Sequence, residues 1–418
     1  MKSDILGQIN PAPPQIMWID LNSAFATTEQ QAHPSLRHRP VGIINRISPN
    51  ACLITTSYEA RRLGIKTGMR RQEALRICPS LVILESDPPK YNAVYHKLFN
   101  IMQSYSPICG MKSIDEGYIN LYDTQYNTVD KLRKLGYEIK QRVKEEIGDY
   151  MTINVGLGTN RFLAKQAAGL HKPDGMDIIT KDNILDVYDS LQLEDLTGIA
   201  KHYGRRLRSH GILTPRQFLE ADEPFLRRTV FHGIVGTYWY QRLRGYEVDD
   251  YQTNLSYIGR QWAVDQDGDS DEYISSCLHY LTESVGTKMR YRGVSARGVC
   301  VCCSMNNGEY YHRKKLVEVP FNDNATLWQL ASELLALRPA GRVVMLSVYV
   351  YNFSRSNDDQ LSFVNEISRS KSLTNAIDKI NMRFGSHAVH SAHSTAGTEH
   401  IKQKVPFGSV DYLDILLR

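Results

Sequence analysis

The chain has 418 residues, 42% hydrophobic and 23% charged, with 50 Lys and Arg against 45 Asp and Glu for a net charge of +5. That length allows several globular domains, and the composition excludes a disordered, collagenous or membrane-embedded chain. No apolar run reaches transmembrane length, residues 1–15 are polar and Pro-rich rather than a leader, and the slight basic excess suits a polyanionic partner, so a cytoplasmic protein is expected.

Ile16-Met17-Trp18-Ile19-Asp20-Leu21-Asn22 is apolar in the manner of a buried strand and ends in a carboxylate. Phe25 follows in a helix-like stretch, where its ring is either a core residue or a pocket wall. Thr55, Thr56 and Ser57 are N-cap candidates for a helix over 58–63 that Gly64 can end. Tyr58 and Arg61, three residues apart, share a face of it, so a hydroxyl and a guanidinium flank a helix start that attracts phosphate. A capped surface helix is the plainer alternative.

Further on, Ser113-Ile114-Asp115-Glu116-Gly117-Tyr118-Ile119-Asn120-Leu121 holds two adjacent carboxylates between segments of strand character, and Gly117 permits a bend after them. Adjacent carboxylates repel when ionised, so the pair is either a solvated turn or a divalent-cation site. With Asp20 there are three carboxylates, about the number that two metal ions bridging a phosphate require, provided the fold makes the two distant strands neighbours. Gly156-Leu157-Gly158-Thr159-Asn160 leads from a strand into a helix over 161–171, closed by Pro173-Asp174-Gly175. Lys165 and Lys172, seven residues apart, are expected on one side of that helix.

Taken in order, Asp20-Leu21-Asn22-Ser23-Ala24-Phe25-Ala26 with Glu29, Thr55-Thr56-Ser57-Tyr58-Glu59-Ala60-Arg61, Ser113-Ile114-Asp115-Glu116, and Asn154-Val155-Gly156-Leu157-Gly158 through Lys172-Pro173-Asp174-Gly175 resemble the signatures of Y-family DNA polymerases. These enzymes copy damaged templates, and the likeness is to the bacterial polymerase IV and polymerase V kinds. The resemblance implies a multidomain α+β right-hand fold: a palm in residues 1–30 and 86–182, fingers in 31–85, a helical thumb in 183–245, a linker in 246–256, an α/β little finger in 257–356 and a tail in 357–418. It implies that Asp20, Asp115 and Glu116 are catalytic acids holding a pair of Mg2+ ions together with the Leu21 carbonyl. Thr55, Tyr58, Arg61 and Lys172 would hold the triphosphate of an incoming deoxynucleoside triphosphate, and Lys165 would lie near the primer end or the catalytic strands. Phe25 falls where the family places a steric gate against a ribose 2′-hydroxyl, while Cys52 and Ile54 would lie over the nascent base pair.

Leu193 to Ala200, followed by Leu207 and Gly211, resembles a helix-hairpin-helix that offers backbone N–H groups to a DNA phosphate at Gly198, with Lys201, Arg205, Arg206 and Arg208 adding charge. Ala200 stands where the motif usually has a second glycine. Lys288, Arg290, Arg292 and Arg297, with Arg313, Lys314 and Lys315, are expected phosphate contacts of the little finger. Gln360, Leu361 and Phe363 carry an imperfect likeness to the peptide with which related bacterial enzymes dock on a sliding clamp. The seven cysteines form no disulfide framework and read as reduced thiols; His387, His390 and His393 lack a clear fourth ligand; and the acidic run from Asp265 to Asp271 reads as a solvated connection. The resulting expectation is a monomeric, template-directed lesion-bypass DNA polymerase of low fidelity, without proofreading, acting on primer-template DNA. The alternative is a noncatalytic DNA-binding or clamp-associated scaffold, a kind that loses the metal-binding acids.

Overall fold

The computed structural model describes residues 2–48, 51–250, 255–264, 267–355 and 365–401. Its described residues fall into two compact units, within Met1–Tyr251 and Gln252–Gln403. The clamp-like peptide at Gln360, Leu361 and Phe363 lies outside the described residues.

The first unit runs α1 (Lys2–Gln8), β1 (Ile16–Leu21), α2 (Ala24–Ala32), β2 (Val41–Ile44), β3 (Leu53–Thr56), α3 (Tyr58–Arg62), α4 (Arg71–Ile77), β4 (Val82–Glu85), α5 (Pro88–Gln103), β5 (Cys109–Met111), β6 (Glu116–Asn120), α6 (Val129–Arg142), β7 (Ile153–Gly158), α7 (Arg161–Leu170) and β8 (Met176–Ile178). The helices α8 (Ile184–Asp189), α9 (Lys201–Ser209), α10 (Pro215–Glu220), α11 (Glu223–Phe225) and α12 (Ile234–Leu243) follow. Five strands form a sheet in the order β5-β6-β1-β7-β8, antiparallel except for the parallel β7–β8 edge. The apolar run of β1 is central and buried on both faces, which is why it reads as continuous rather than alternating. A smaller sheet, β3-β2-β4, carries α3 and α4 between its strands in sequence.

Gly156 and Gly158 explain how α7 reaches the sheet. A Cβ on Gly156 would stand 2.0 Å from the Ala164 carbonyl oxygen, and one on Gly158 2.5 Å from the Ala164 amide, so only glycine lets this helix lie against β7. Asn160 caps α7 by accepting from the Leu163 amide at 2.8 Å.

The segment around Ile5 and Ile9, expected with the sheet, joins the helical cluster: the two isoleucines pack among Phe162, Leu193, Trp239 and Leu243. Each such buried side chain is worth about 1.5–3 kcal/mol, enough to hold a short polar segment that hydropathy alone leaves loose. Tyr240 donates to Gln8 at 3.0 Å, and the Asn10 amide donates to the Arg244 carbonyl at 2.9 Å. The start of the expected linker is also fastened to this unit, since Asn160 donates to the Tyr246 carbonyl at 2.8 Å and Arg161 pairs with Asp250 at 2.8 Å.

The second unit contains β9 (Tyr257–Ala263), α13 (Asp271–Tyr291), β10 (Val294–Met305), β11 (Tyr310–Phe321), α14 (Asn324–Ala336), β12 (Val343–Arg355), α15 (Asn365–Phe384) and α16 (Thr395–His400). Its antiparallel sheet has the order β11-β10-β12-β9. Val299, Val301 and Cys303 of β10 and Leu346, Val348 and Val350 of β12 face α13 and α14 in one core, as strand alternation requires. The expected tail is therefore corrected in part: Ile401 packs in this core, and Asp378 of α15 ties back to α13.

That tie corrects Arg290 as a phosphate contact. Its guanidinium takes the Asp378 carboxylate with both side chains about 10% exposed, and donates to the Asn322 carbonyl at 2.8 Å and the Asn324 side chain at 3.0 Å. Its fork is spent inside the fold. Lys288 likewise donates inward, to the Gly259 carbonyl at 3.1 Å, and burial pushes its ammonium pKa down to about 8. Arg292 is exposed at the end of α13. His387 is half-buried, stacked on Tyr280 with ring centroids 4.2 Å apart, and pushed down to about 3 mainly by desolvation. No described helix is long and apolar enough to cross a membrane.

Candidate active site

Strand register unites the three acids. On β1, Asp20 lies opposite Glu116 of β6, and the Leu21 amide donates to the Asp115 carbonyl at 2.9 Å, closing the gap between two distant segments. Ser113 donates to Asp115 at 2.5 Å, while Glu116 accepts from the Trp18 indole at 3.1 Å. Trp18 is two residues before Asp20 and hence on the same face of the strand.

Both lysines reach these acids, though not as one helical stripe. Lys165, on α7, contacts Glu116 at 2.6 Å; Lys172 lies beyond the end of α7 and contacts Asp20 at 2.7 Å. Burial pushes the Asp20 carboxyl up, Lys172 opposes that, and Glu116 and Asp115 add repulsion; the net shift is upward. Asp115 is also raised, mainly by burial, against the Ser113 hydrogen bond and with the charge of Glu116. Three hard oxygen donors that resist being ionised together suit a divalent cation, the class of cofactor this chemistry demands.

Beside the acids, Ser57 rather than Thr55 or Thr56 caps α3, accepting from the Ala60 amide at 3.4 Å. Thr55 is buried at the end of β3, Arg61 is exposed with its guanidinium 5.0 Å from the Tyr58 ring, and Gly64 takes the left-handed conformation past the helix end. Asn22, assigned no role on sequence grounds, joins these parts. It contacts the Tyr58 hydroxyl at 3.4 Å and Asn154 at 2.8 Å, and accepts from the Asp174 amide and the Thr152 hydroxyl, each at 3.0 Å. An amide two residues after the acid at the end of an apolar strand was the available signal. Phe25 of α2 is buried and stacks on Tyr91 with centroids 4.5 Å apart, while Cys52 is exposed and Ile54 half-buried.

Elsewhere in this unit, Gly198 has the left-handed backbone expected of a tight turn, with φ at +93°, and Lys201 opens α9 on the surface. Arg208 is less available, because Glu194 accepts its fork at 2.6 and 2.5 Å.

Two models of the impB/mucB/samB family match the chain, one over residues 19–169 and its C-terminal domain over 258–363. The chain belongs to the impB/mucB/samB family. Among similar curated proteins, "DNA polymerase IV 1" of Halalkalibacterium halodurans is 26% identical, covering 88% of this chain and 91% of that protein. "DNA polymerase IV" of Moorella thermoacetica is 29% identical over 91% of this chain and 96% of its own length. The fold is that of Y-family polymerases: a "Y-family DNA polymerase chimera Dbh-Dpo4(243-245)-Dbh" superposes with a TM-score of 0.69 at 23% identity, covering 81% of this chain and 98% of that one. In this family member the matched N-terminal segment contains Asp20, Asp115, Glu116 and Lys165.

Proposed function

We propose that this family member is a template-directed DNA polymerase of the lesion-bypass type, extending a primer 3′ end with deoxynucleotides at low fidelity. The observation that carries the site assignment is the convergence of Asp20, Asp115 and Glu116 at neighbouring strand ends, with Lys165 and Lys172 in contact. A pair of Mg2+ ions held by these acids and the Leu21 carbonyl would supply Lewis-acid activation of the primer hydroxyl and charge stabilisation at the leaving pyrophosphate.

The chain's own residues do the rest. Lys172, Arg61, Tyr58 and Thr55 bind the triphosphate, a polyanion whose paired oxygens suit a planar guanidinium fork and whose charge can take the Lys172 ammonium from Asp20. Asn22 positions Tyr58 and the 172–175 turn relative to the acids. Phe25 would exclude a ribose 2′-hydroxyl, and the Trp18 indole fixes the Glu116 carboxylate. In this reading the large sheet is the palm, the small sheet with α3 and α4 the fingers, the α8–α12 cluster the thumb, and the second unit the little finger. Gly198, Lys201 and Arg292 would meet backbone phosphates of primer-template DNA.

Primer extension with Mg2+ and deoxynucleoside triphosphates tests this, beside an Asp115→Asn, Glu116→Gln variant that keeps shape and size. A loss of about a thousandfold, equivalent to about 4 kcal/mol at the transition state, with DNA binding retained is expected. Equal extension by both proteins would remove the acids from the mechanism.

A further inference from the structure

The sheet of the second unit has two unlike faces. One meets α13 and α14; the other carries Cys300 and Cys302, two residues apart on β10 and so on the same side. Cys302 lies opposite His312 of β11, and Cys300 opposite Tyr349 of β12. The two thiols are 3.8 Å apart, and ligand atoms of Cys300, Cys302 and His312 all fall within 4.8 Å of one another. Among the described residues no other group of three such ligands gathers in this way.

We propose that Cys300, Cys302 and His312 form a site for a thiophilic divalent cation, zinc, with one coordination position left open. The spacing supports this directly. Two sulfurs bound at about 2.3 Å to a tetrahedral zinc stand about 3.8 Å apart, the separation already present between these thiols. The imidazole is also held in place, since its Nε2 shares a hydrogen bond of 3.1 Å with the Tyr349 hydroxyl and its ring stacks near Tyr310 at 6.3 Å. An outer partner of this kind fixes the tautomer and orientation of a ligating histidine. Both thiols are almost fully buried, at 0% and 2% exposure, and the imidazole sits at the rim, so an ion entering past His312 would find its sulfur ligands in a low-dielectric floor.

Binding is an exchange without redox change: the ion forms metal–sulfur bonds with the thiolates, thiol protons leave to solvent, and the neutral imidazole donates a lone pair. Because the thiols give up their protons to the solvent on binding, affinity rises with pH. Nothing in the polymerase chemistry uses these residues, and their sulfur ligands distinguish them from the carboxylates of the first unit.

The test uses the full chain, reduced and freed of metal, titrated with cobalt(II) as a spectroscopic probe and then with zinc in competition. A thiolate-to-cobalt charge-transfer band saturating at one equivalent and displaced by zinc is expected; an all-carboxylate site cannot produce it. Cys302→Ser abolishes the band. Cys303→Ser, altering a side chain in the core on the opposite face, retains it. His312→Ala keeps the sulfur signal and weakens affinity at least about tenfold. Circular dichroism and thiol counting in denaturant, against the seven cysteines of the sequence, establish that each protein is folded and reduced. Absence of the band in wild type, or its survival in Cys302→Ser, overturns the site.

Discussion

Arg290 offers a sharp test, because two assignments of one residue predict opposite readouts. As a DNA contact, its removal would weaken binding and lower the salt dependence while leaving the fold unchanged. The structure instead buries it against Asp378, both about 10% exposed, with further bonds to Asn322 and Asn324. Removing one partner of a buried pair leaves the other charge uncompensated and costs about 3–5 kcal/mol. For a unit of this size each kcal/mol moves the melting temperature by about 2–4 °C, so Arg290→Ala should lower the second unit's transition by roughly 10 °C in calorimetry. Asp378→Ala should do the same, because either change strands a charge. The double replacement Arg290→Met, Asp378→Leu should recover most of the loss, since the cost lies in the unpaired ion rather than in the missing bridge. An Arg290→Ala protein that melts like wild type but binds DNA about tenfold more weakly would refute the packing assignment and restore the residue to the DNA surface.

Three further outcomes follow from the acids and their surroundings. Asp20 and Asp115 have carboxyl pKa values raised in the folded state, so their contribution favours folding at low pH and is lost as pH rises through the raised values. Asp115→Asn should therefore raise the melting temperature of chelator-treated protein at neutral pH, with the gain vanishing in acid; Mg2+ at a hundred times its dissociation constant should stabilise wild type by about 2.7 kcal/mol and the variant far less. No gain at neutral pH would count against buried repulsion at the site. Lys172→Ala should raise KM for the incoming nucleotide about tenfold and push the Asp20 carboxyl still higher, visible as an alkaline shift in the pH–rate profile. An unchanged KM removes Lys172 from the triphosphate. Phe25→Val should reduce discrimination against ribonucleotides at least about tenfold, measured as the ratio of kcat/KM values; equal ratios would leave Phe25 as core alone.

The acids were legible because each sits at the end of a strand whose composition announces it, and because Asp115 and Glu116 are adjacent without a local reason to be. The glycines of 156–158 were legible as a turn, but their function in admitting α7 to the sheet depends on contact distances across two elements. Residues whose value lies in a partner far along the chain were not legible. Asn22 bonds to 58, 152, 154 and 174, and Arg290 to 322, 324 and 378, so neither periodicity nor spacing distinguishes them from ordinary polar positions. The N-terminal residues were misplaced for a related reason. A helix of seven residues with one inward isoleucine, followed by Ile9, has too little apolar signal to reveal which core receives it.

The placement of the two lysines carries the electrostatics one step further. Three carboxylates at neighbouring strand ends repel one another, and each has a near polar partner: Lys172 on Asp20, Lys165 on Glu116, the Ser113 hydroxyl on Asp115. Lys165 extends from a helix whose backbone lies against the sheet at Gly156 and Gly158. Lys172 belongs to the turn after that helix, held through Asn22 and Asp174, and both lysine side chains are about one third exposed. A cation placed among the acids would release the Lys172 ammonium from Asp20, and an anionic triphosphate beside it would receive that charge. The same residue would thus satisfy the acids when the site is without ligands and the substrate when it is loaded, so the Lys172→Ala variant should show a weaker dependence of nucleotide affinity on Mg2+ concentration than wild type. Fluorescence-monitored nucleotide binding across a Mg2+ series measures that dependence, and equal slopes for the two proteins would show that Lys172 does not pass between the two partners.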